Sequence, residues 1–223
     1  MRSKRYKEEK LKLTEENYSV EDAVKLIKED TNTKFDQSVE LHMKLGIDSK
    51  KAEQLIRGSV VLPAGTGKTR TIMAFVSEGQ EKEAKEAGAD FIGDAATIAK
   101  IKETGKVNFE IAIATPDVMK TLGPIAKTLG QKGLMPNPKT ETVGSNVIKM
   151  IDELKKGKSS FRNDDGGSLH QIVGKVSFEE KDLIENITTF IDTIKKMKPE
   201  GIKGVFIRNK VLTTSMGPSI KLK

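Results

Sequence analysis

Two hydrophobic patterns run through this chain, and one encloses the other. In "KFDQSVELHMKLGI", Val39, Leu41, Met43, Leu45 and Ile47 alternate with Ser38, Glu40, His42 and Lys44. That period of two marks a strand with one buried face. Upstream, "YSVEDAVKLIKED" opens on Ser19 with Asp22 three residues on, a capping pattern ahead of a helix whose apolar face is Val20, Ala23, Val24 and Ile27. "RGSVVLP" is a second strand, ended by Pro63. From about Thr69 the pattern changes. "RTIMAFVS", "ADFIG" and "FEIAIATP" read as short strands, separated by helices in "QEKEAKEAG" and "DAATIAKIKETG". "DVMKTLGPIAKTLG" is helical with a break at Gly123-Pro124, and a further helix is expected in "NVIKMIDELKKGK". Strands alternating with helices fold as βαβ units around a small parallel sheet.

Past Gly157 the first pattern returns. "KSSFRN" and "SLHQIVGKVSF" are expected to form a hairpin around Asp164, Asp165, Gly166 and Gly167. In "SFEEKDLIENITTFIDTIKKM", Leu183, Ile184, Ile187, Phe190, Ile191 and Ile194 recur at helical spacing. "GVFIRNKVLTTS" is a last strand before the tail "MGPSIKLK". With 223 residues there is material for two cores. The arrangement expected is a discontinuous α+β domain from residues 1–66 and 157–223, with a βαβ domain of residues 67–156 inserted in it. The connections fall near 65–68 and 156–158, where Gly65, Gly67 and Gly157 would serve as hinges.

"SVVLPAGTGKTRTIM" poses the sharpest functional question, because Gly67-Lys68-Thr69 looks like the end of a phosphate-binding P-loop. The motif needs a Gly five positions before Gly67, and Leu62 stands there, followed by Pro63, which has no N–H. A P-loop also opens directly into a helix, whereas "RTIMAFVS" reads as a strand. No strand is followed by G-x-G-x-x-G opening a helix, so a dinucleotide fingerprint is missing as well. A nucleotide-using enzyme is the reading these features oppose, and no cofactor is expected.

Charge points to a different partner. The formal net charge is +7, with 39 Lys and Arg against 32 Asp and Glu, a balance that suits a polyanion. Residues 66–156 hold 14 basic and 12 acidic side chains and the flanking parts 25 and 20, so the terminal domain is the more basic one. There is no cysteine, which removes disulfides, thiolate zinc sites and cysteine nucleophiles. His42 and His170 are far apart in sequence, and no spacing argues for a metal or a catalytic group at either. No apolar run reaches membrane-spanning length, and "MRSKRYKEEKLKL" lacks the apolar core of a signal peptide, so a cytoplasmic protein is expected. The sequons at Asn17 and Asn186 are expected to be without meaning in such a chain.

Three stretches remain as candidates. In "TTSMGPS", Thr213, Thr214 and Ser215 offer hydroxyls to phosphate or ribose, Gly217 allows close backbone approach, and Met216 offers an apolar surface to a base or sugar. The same residues also suit a polar strand end and turn. In "KFDQS", Phe35 beside Lys34 could stack on RNA or belong to the core. "LGQKGLMPNPK" could be a basic loop on phosphates or a rigid connector.

Taken in order, "KFDQSVELHMKLGID", "RGSVVLPAGTGK", "GADFIG", "ATPDVM", "GLMPNPKTETVG", "FRNDDGGSLHQIVGK" and "TTSMGPS" resemble the L1 family of large-subunit ribosomal proteins over nearly the whole chain. The resemblance implies an α+β sandwich built from both termini with an inserted Rossmann-like domain. It implies binding to the stalk region of large-subunit rRNA, movement and release of deacylated tRNA at the exit site, and repression of the protein's own mRNA. The protein would act as a monomer within the ribosome, with no catalytic or metal residues and no membrane association. Residue by residue, the implied RNA surface is Lys34, Phe35, Ser38, Arg208, Asn209, Thr213, Thr214, Ser215, Met216 and Gly217. Ser38 and Ser215 stand where the family more often has Thr, which keeps the hydroxyl and removes a methyl group. The GTGK stretch would then be an interdomain connection.

Overall fold

The structure is a computed structural model that describes residues 4–29, 33–77, 79–202 and 204–223. The chain is mixed α/β and divides into two compact units, Met1–Gly67 with Ser159–Lys223, and Lys68–Lys158. In chain order the first unit begins with α1 (Lys4–Leu11), α2 (Val20–Glu29), β1 (Ser38–Leu45) and β2 (Arg57–Val61). The second holds β3 (Ile72–Phe75), α3 (Glu81–Glu86), β4 (Phe91–Ile92), α4 (Ala95–Thr104), β5 (Ile111–Ala114), α5 (Ala126–Gln131) and α6 (Val147–Lys155). The chain then continues with β6 (Lys158–Arg162), β7 (Ser168–Lys175), α7 (Glu180–Lys196), β8 (Ile207–Thr214) and β9 (Ile220–Lys221).

In the first unit the strands form an antiparallel sheet in the order β7-β1-β8-β9 and a separate pair, β2-β6. Val39, Leu41, Met43 and Leu45 point to one side, where they meet Val24 and Ile27 of α2 and Ile187, Phe190 and Ile194 of α7, all buried. Alternation in the strand and the three-and-four spacing in α7 therefore describe two sides of one core. Phe161 of β6 meets Phe190 edge to face at 5.4 Å, bringing the second pair of strands into that core. Ser19 caps α2, its Oγ accepting from the Asp22 N–H at 3.1 Å. Helix α1 was not legible in the sequence because "KRYKEEKL" has no apolar stripe. It carries an Arg5–Glu9 pair at 3.3 Å instead, with Glu9 buried.

The expected hairpin is corrected by the structure. The turn exists: Asp164 Oδ1 accepts from the Ser168 N–H at 2.6 Å, and Gly167 has φ +74°. The strands on either side nevertheless join different sheets, β6 pairing with β2 and β7 with β1. Turn chemistry specifies a reversal of the chain, whereas pairing is decided by which neighbour buries each strand's apolar face.

In the second unit β4, β3 and β5 form a parallel sheet covered on both sides. Met73, Phe75 and Ala112 face Ile101, Leu122, Ile125 and Leu129, while Ile72, Ala74 and Ile113 face Ala84, Val147 and Ile151. Such two-sided burial explains why these strands read as unbroken apolar runs. Strand β3 starts at Ile72, two residues later than "RTIMAFVS" indicates, and the segment before it is not helical. Lys158 is buried between Glu141 and Glu153, with Glu153 Oε2 at 2.6 Å. Burial works against its charge, but the bonds to the two carboxylates outweigh that and hold the ammonium above its ordinary pKa. Gly93 lies against the ring of Phe75, which is fully buried, and a Cβ there would come within 2.1 Å of it. Gly93→Ala is expected to destabilise this unit by about 2 kcal/mol, readable as a lower denaturation midpoint at unchanged m-value.

Candidate nucleic-acid interface

Strand alternation leaves one side of the four-stranded sheet without a helix. Glu40, His42 and Lys44 of β1 lie on that side with Ser168 and His170 of β7. Asn209, Val211 and Thr213 of β8 stand opposite Lys44, His42 and Glu40. From Asn209 to Ser215 the strip is about 20 Å long, at roughly 3.3 Å per extended residue. Lys34, Arg208 and Asn209 are exposed, with Arg208 and Asn209 at the end of β8 remote from the Ser215 turn.

At the other end, two backbone segments meet. The Ser215 N–H donates to the Ser38 carbonyl at 3.1 Å, and the Ser38 N–H donates to Ser215 Oγ at 3.2 Å. Ser38 is buried, and it holds Ser215 through its backbone N–H and carbonyl. The Met216 N–H donates to Gln37 Oε1 at 3.0 Å, and the Met216 carbonyl accepts from Arg5 Nη2 at 2.9 Å. The Gly217 N–H closes the turn on the Thr214 carbonyl at 3.3 Å. Both backbone polar groups of Met216 are thus fixed while its side chain remains 54% exposed.

Phe35 is presented in the same way. Its carbonyl accepts from Thr33 Oγ1 at 3.0 Å. The next residue, Asp36, holds Ser177 through that residue's N–H at 3.2 Å and hydroxyl at 2.9 Å. The Phe35 ring is 53% exposed, which excludes the core reading. Lys175 Nζ donates to the Asp36 carbonyl at 3.2 Å, adding a cation to this end of the sheet.

Thr214 does not join the others. It faces inward with Leu212, its residue is 5% exposed, and its Oγ1 has no hydrogen-bond partner among the described residues. Thr213 faces the open side, and its hydroxyl donates to the Thr214 carbonyl at 3.1 Å, leaving lone pairs for an incoming donor such as a ribose 2′-OH. The two threonines should therefore separate by experiment. Thr214→Val is expected to leave RNA affinity unchanged and stability unchanged or raised by up to about 1 kcal/mol. Thr213→Val is expected to weaken RNA binding several-fold at unchanged melting temperature.

Arg5, Tyr6 and Gln37 belong to this site and were missed from sequence. Gln37 carries a signal: it falls in register with Val39, Leu41 and Met43, a polar residue on the inward phase, and it is 1% exposed. Arg5 and Tyr6 carried none beyond charge. They line a cleft of about 430 Å³ together with Thr213, Ser215, Met216 and Gly217.

The GTGK loop is built otherwise. Asn186, fully buried on α7, accepts from the Ala64 N–H at 3.1 Å and donates through Nδ2 to the carbonyls of Gly65 at 3.0 Å and Val173 at 2.8 Å. The Ala64 and Gly65 N–H groups, the latter bonded to the Leu62 carbonyl at 2.9 Å, are therefore taken within the protein, and the Asn186 sequon is inaccessible. Gly67 has φ +69°, and a Cβ there would meet Lys175 Cγ at 2.8 Å.

Among the described residues no group of three or more His, Asp or Glu side chains is placed to hold a metal ion, and no helix is long and apolar enough to cross a membrane. What the geometry offers is an open polar sheet face ending in an anchored turn with exposed apolar groups. A profile of the Ribosomal protein L1p/L10e family matches residues 26–218. The large ribosomal subunit protein uL1 of Mesoplasma florum is 50% identical over 206 residues, 92% of this chain and 90% of that protein. The chain is a ribosomal protein, a structural constituent rather than an enzyme. More narrowly, it belongs to the Ribosomal protein L1p/L10e family, as a bacterial-type protein of the large subunit in the cytoplasmic ribosome.

Proposed function

We propose that this chain binds the stalk region of large-subunit rRNA through the open face of its four-stranded sheet and the turn at Ser215–Gly217. The observation that carries this reading is Met216, an exposed thioether side chain whose N–H and carbonyl are both fixed, by Gln37 and Arg5. A backbone held in advance loses little freedom on binding. Phe35 supplies a second exposed apolar surface for a base or sugar, and Thr213 and Ser215 supply hydroxyls. Lys34, Lys175 and Arg208 would neutralise phosphates. Asn209 extends the polar strip.

In the same reading, the unit built from both ends of the chain is the RNA-binding domain, and the Lys68–Lys158 unit is an inserted Rossmann-like domain. Positive φ angles at Gly65, Gly67 and Gly157 fit hinge positions in the connections. The inserted domain would move with deacylated tRNA as it leaves the exit site. The same RNA surface would bind a matching fold in the protein's own mRNA and repress its translation.

The test is a titration of the chain with a stalk rRNA fragment at two salt concentrations. Tight binding that weakens steeply with salt is the expected result, since each neutralised phosphate contributes about −0.7 to −0.9 to the slope of log K against log salt. Absence of binding would remove the proposal. Co-sedimentation with large subunits tells a resident ribosomal protein from a free repressor.

A further inference from the structure

His42 and His170, remote in sequence, stand directly opposite each other on β1 and β7. Their Nδ1 atoms are 2.8 Å apart, with ring centroids at 4.9 Å and planes at 62°. The two remaining nitrogens face carboxylates. Nε2 of His42 lies 3.7 Å from Glu40 Oε2, and Nε2 of His170 lies 3.5 Å from Asp164 Oδ2. Asp164 is itself fixed by the Ser168 N–H, which is the main reason its carboxyl lies below the ordinary value. The sequence runs Glu40, His42, His170, Asp164, four ionisable groups in a row on the open sheet face.

Proton counting gives this row a preferred charge. Two neutral imidazoles carry two N–H groups. One must lie between the Nδ1 atoms, since two bare lone pairs repel at that distance. One carboxylate then faces a bare ring nitrogen. A pair with one added proton carries three N–H groups, one between the rings and one toward each carboxylate, and every contact is satisfied. A second added proton would set two N–H groups against each other at 2.8 Å, which the geometry forbids. The arrangement is complete with a single proton added to the neutral pair.

The other groups around the pair are few. Lys44, on β1, donates to the Gly166 carbonyl in the turn that holds Asp164. On β8 the facing residues are Asn209, Val211 and Thr213, none of which titrates. In the unbound protein, burial of His42 and then the neighbouring His170 lower its pKa from 6.5, with Glu40 opposing them. A phosphate chain laid over the face has the opposite effect, because a nearby negative charge favours imidazolium.

We propose that folded RNA bound on this face draws one proton onto the His42–His170 pair, making the pair a proton-coupled contact of the interface. The inference rests on the RNA-binding reading above. Linkage fixes the sign: a complex that holds more protons than its free components is favoured as pH falls. At constant ionic strength, the dissociation constant for the stalk fragment is expected to tighten about tenfold from pH 8 to pH 6, with a slope never exceeding one proton.

The experiment is that titration across pH for the wild-type chain and for the double variant His42→Gln/His170→Gln. Both side chains are partly exposed, and Gln keeps hydrogen-bonding capacity. The double variant is expected to bind with a nearly flat pH profile. The same slope in wild type and double variant would overturn the inference and leave the RNA reading standing. No binding by the wild type at any pH would overturn both. NMR titration of the ring protons in the free protein gives a second readout. His170→Gln should shift the His42 titration, and an unmoved titration would mean that the two rings are not coupled.

Discussion

Met216→Asp is expected to weaken binding of the stalk rRNA fragment by about 100-fold or more, a loss of roughly 2.7 kcal/mol at an interface anchor. Two effects add. The apolar contact is removed, and a carboxylate is placed where phosphates approach. The backbone at this residue keeps its bonds to Gln37 and Arg5, since neither involves the side chain. The thermal midpoint should therefore stay close to wild type, and that separates loss of recognition from loss of fold. Affinity within threefold of wild type would move the RNA site away from the turn. Gln37→Leu approaches the same turn from beneath: it leaves Met216 in place but frees its N–H.

Asn186→Leu is expected to cost about 3 to 5 kcal/mol of stability in urea denaturation. Three hydrogen bonds end on this fully buried side chain, and leucine leaves the Ala64 N–H and the carbonyls of Gly65 and Val173 without that partner. A buried polar group stripped of its partner costs about 1 to 3 kcal/mol. Asn186→Asp keeps the acceptor for Ala64 and loses both donated bonds, so it should fall between wild type and leucine. A loss below 1 kcal/mol for the leucine variant would mean that the Leu62–Gly67 segment is not held by α7, and the nucleotide question at Lys68 would reopen.

The fold was legible where burial follows a simple period. Val39, Leu41, Met43 and Leu45 announced a strand with one covered face, and the spacing from Leu183 to Ile194 announced the helix that covers it. The apolar runs of β3 and β5 announced strands covered on both sides. Pairing was not legible. Asp164 to Gly167 reads as a hairpin turn, yet its two strands belong to different sheets, because β1 and β2 compete for their edges and no local signal records that competition. Helix α1 was invisible for want of an apolar stripe; its Arg5 finds its partner at Met216, 211 residues away.

The candidate site divides along the same line. The failure of the GTGK stretch as a P-loop can be read from residue types and spacing alone, and so can the hydroxyl and apolar groups that "TTSMGPS" and "KFDQS" offer either to a ligand or to the fold. Which of those residues faces outward cannot. Thr213 and Thr214 are equivalent as letters, and β8 puts one in the open and the other in the core. Ser38 proved to be a support for Ser215, Phe35 an exposed ring, and the two histidines a pair. Local patterns act through neighbours in the chain, so sequence determined elements, charge and the type of chemistry. Side-chain direction and cross-strand partners arise from contacts between residues far apart in sequence, and only the packed tertiary structure could decide them.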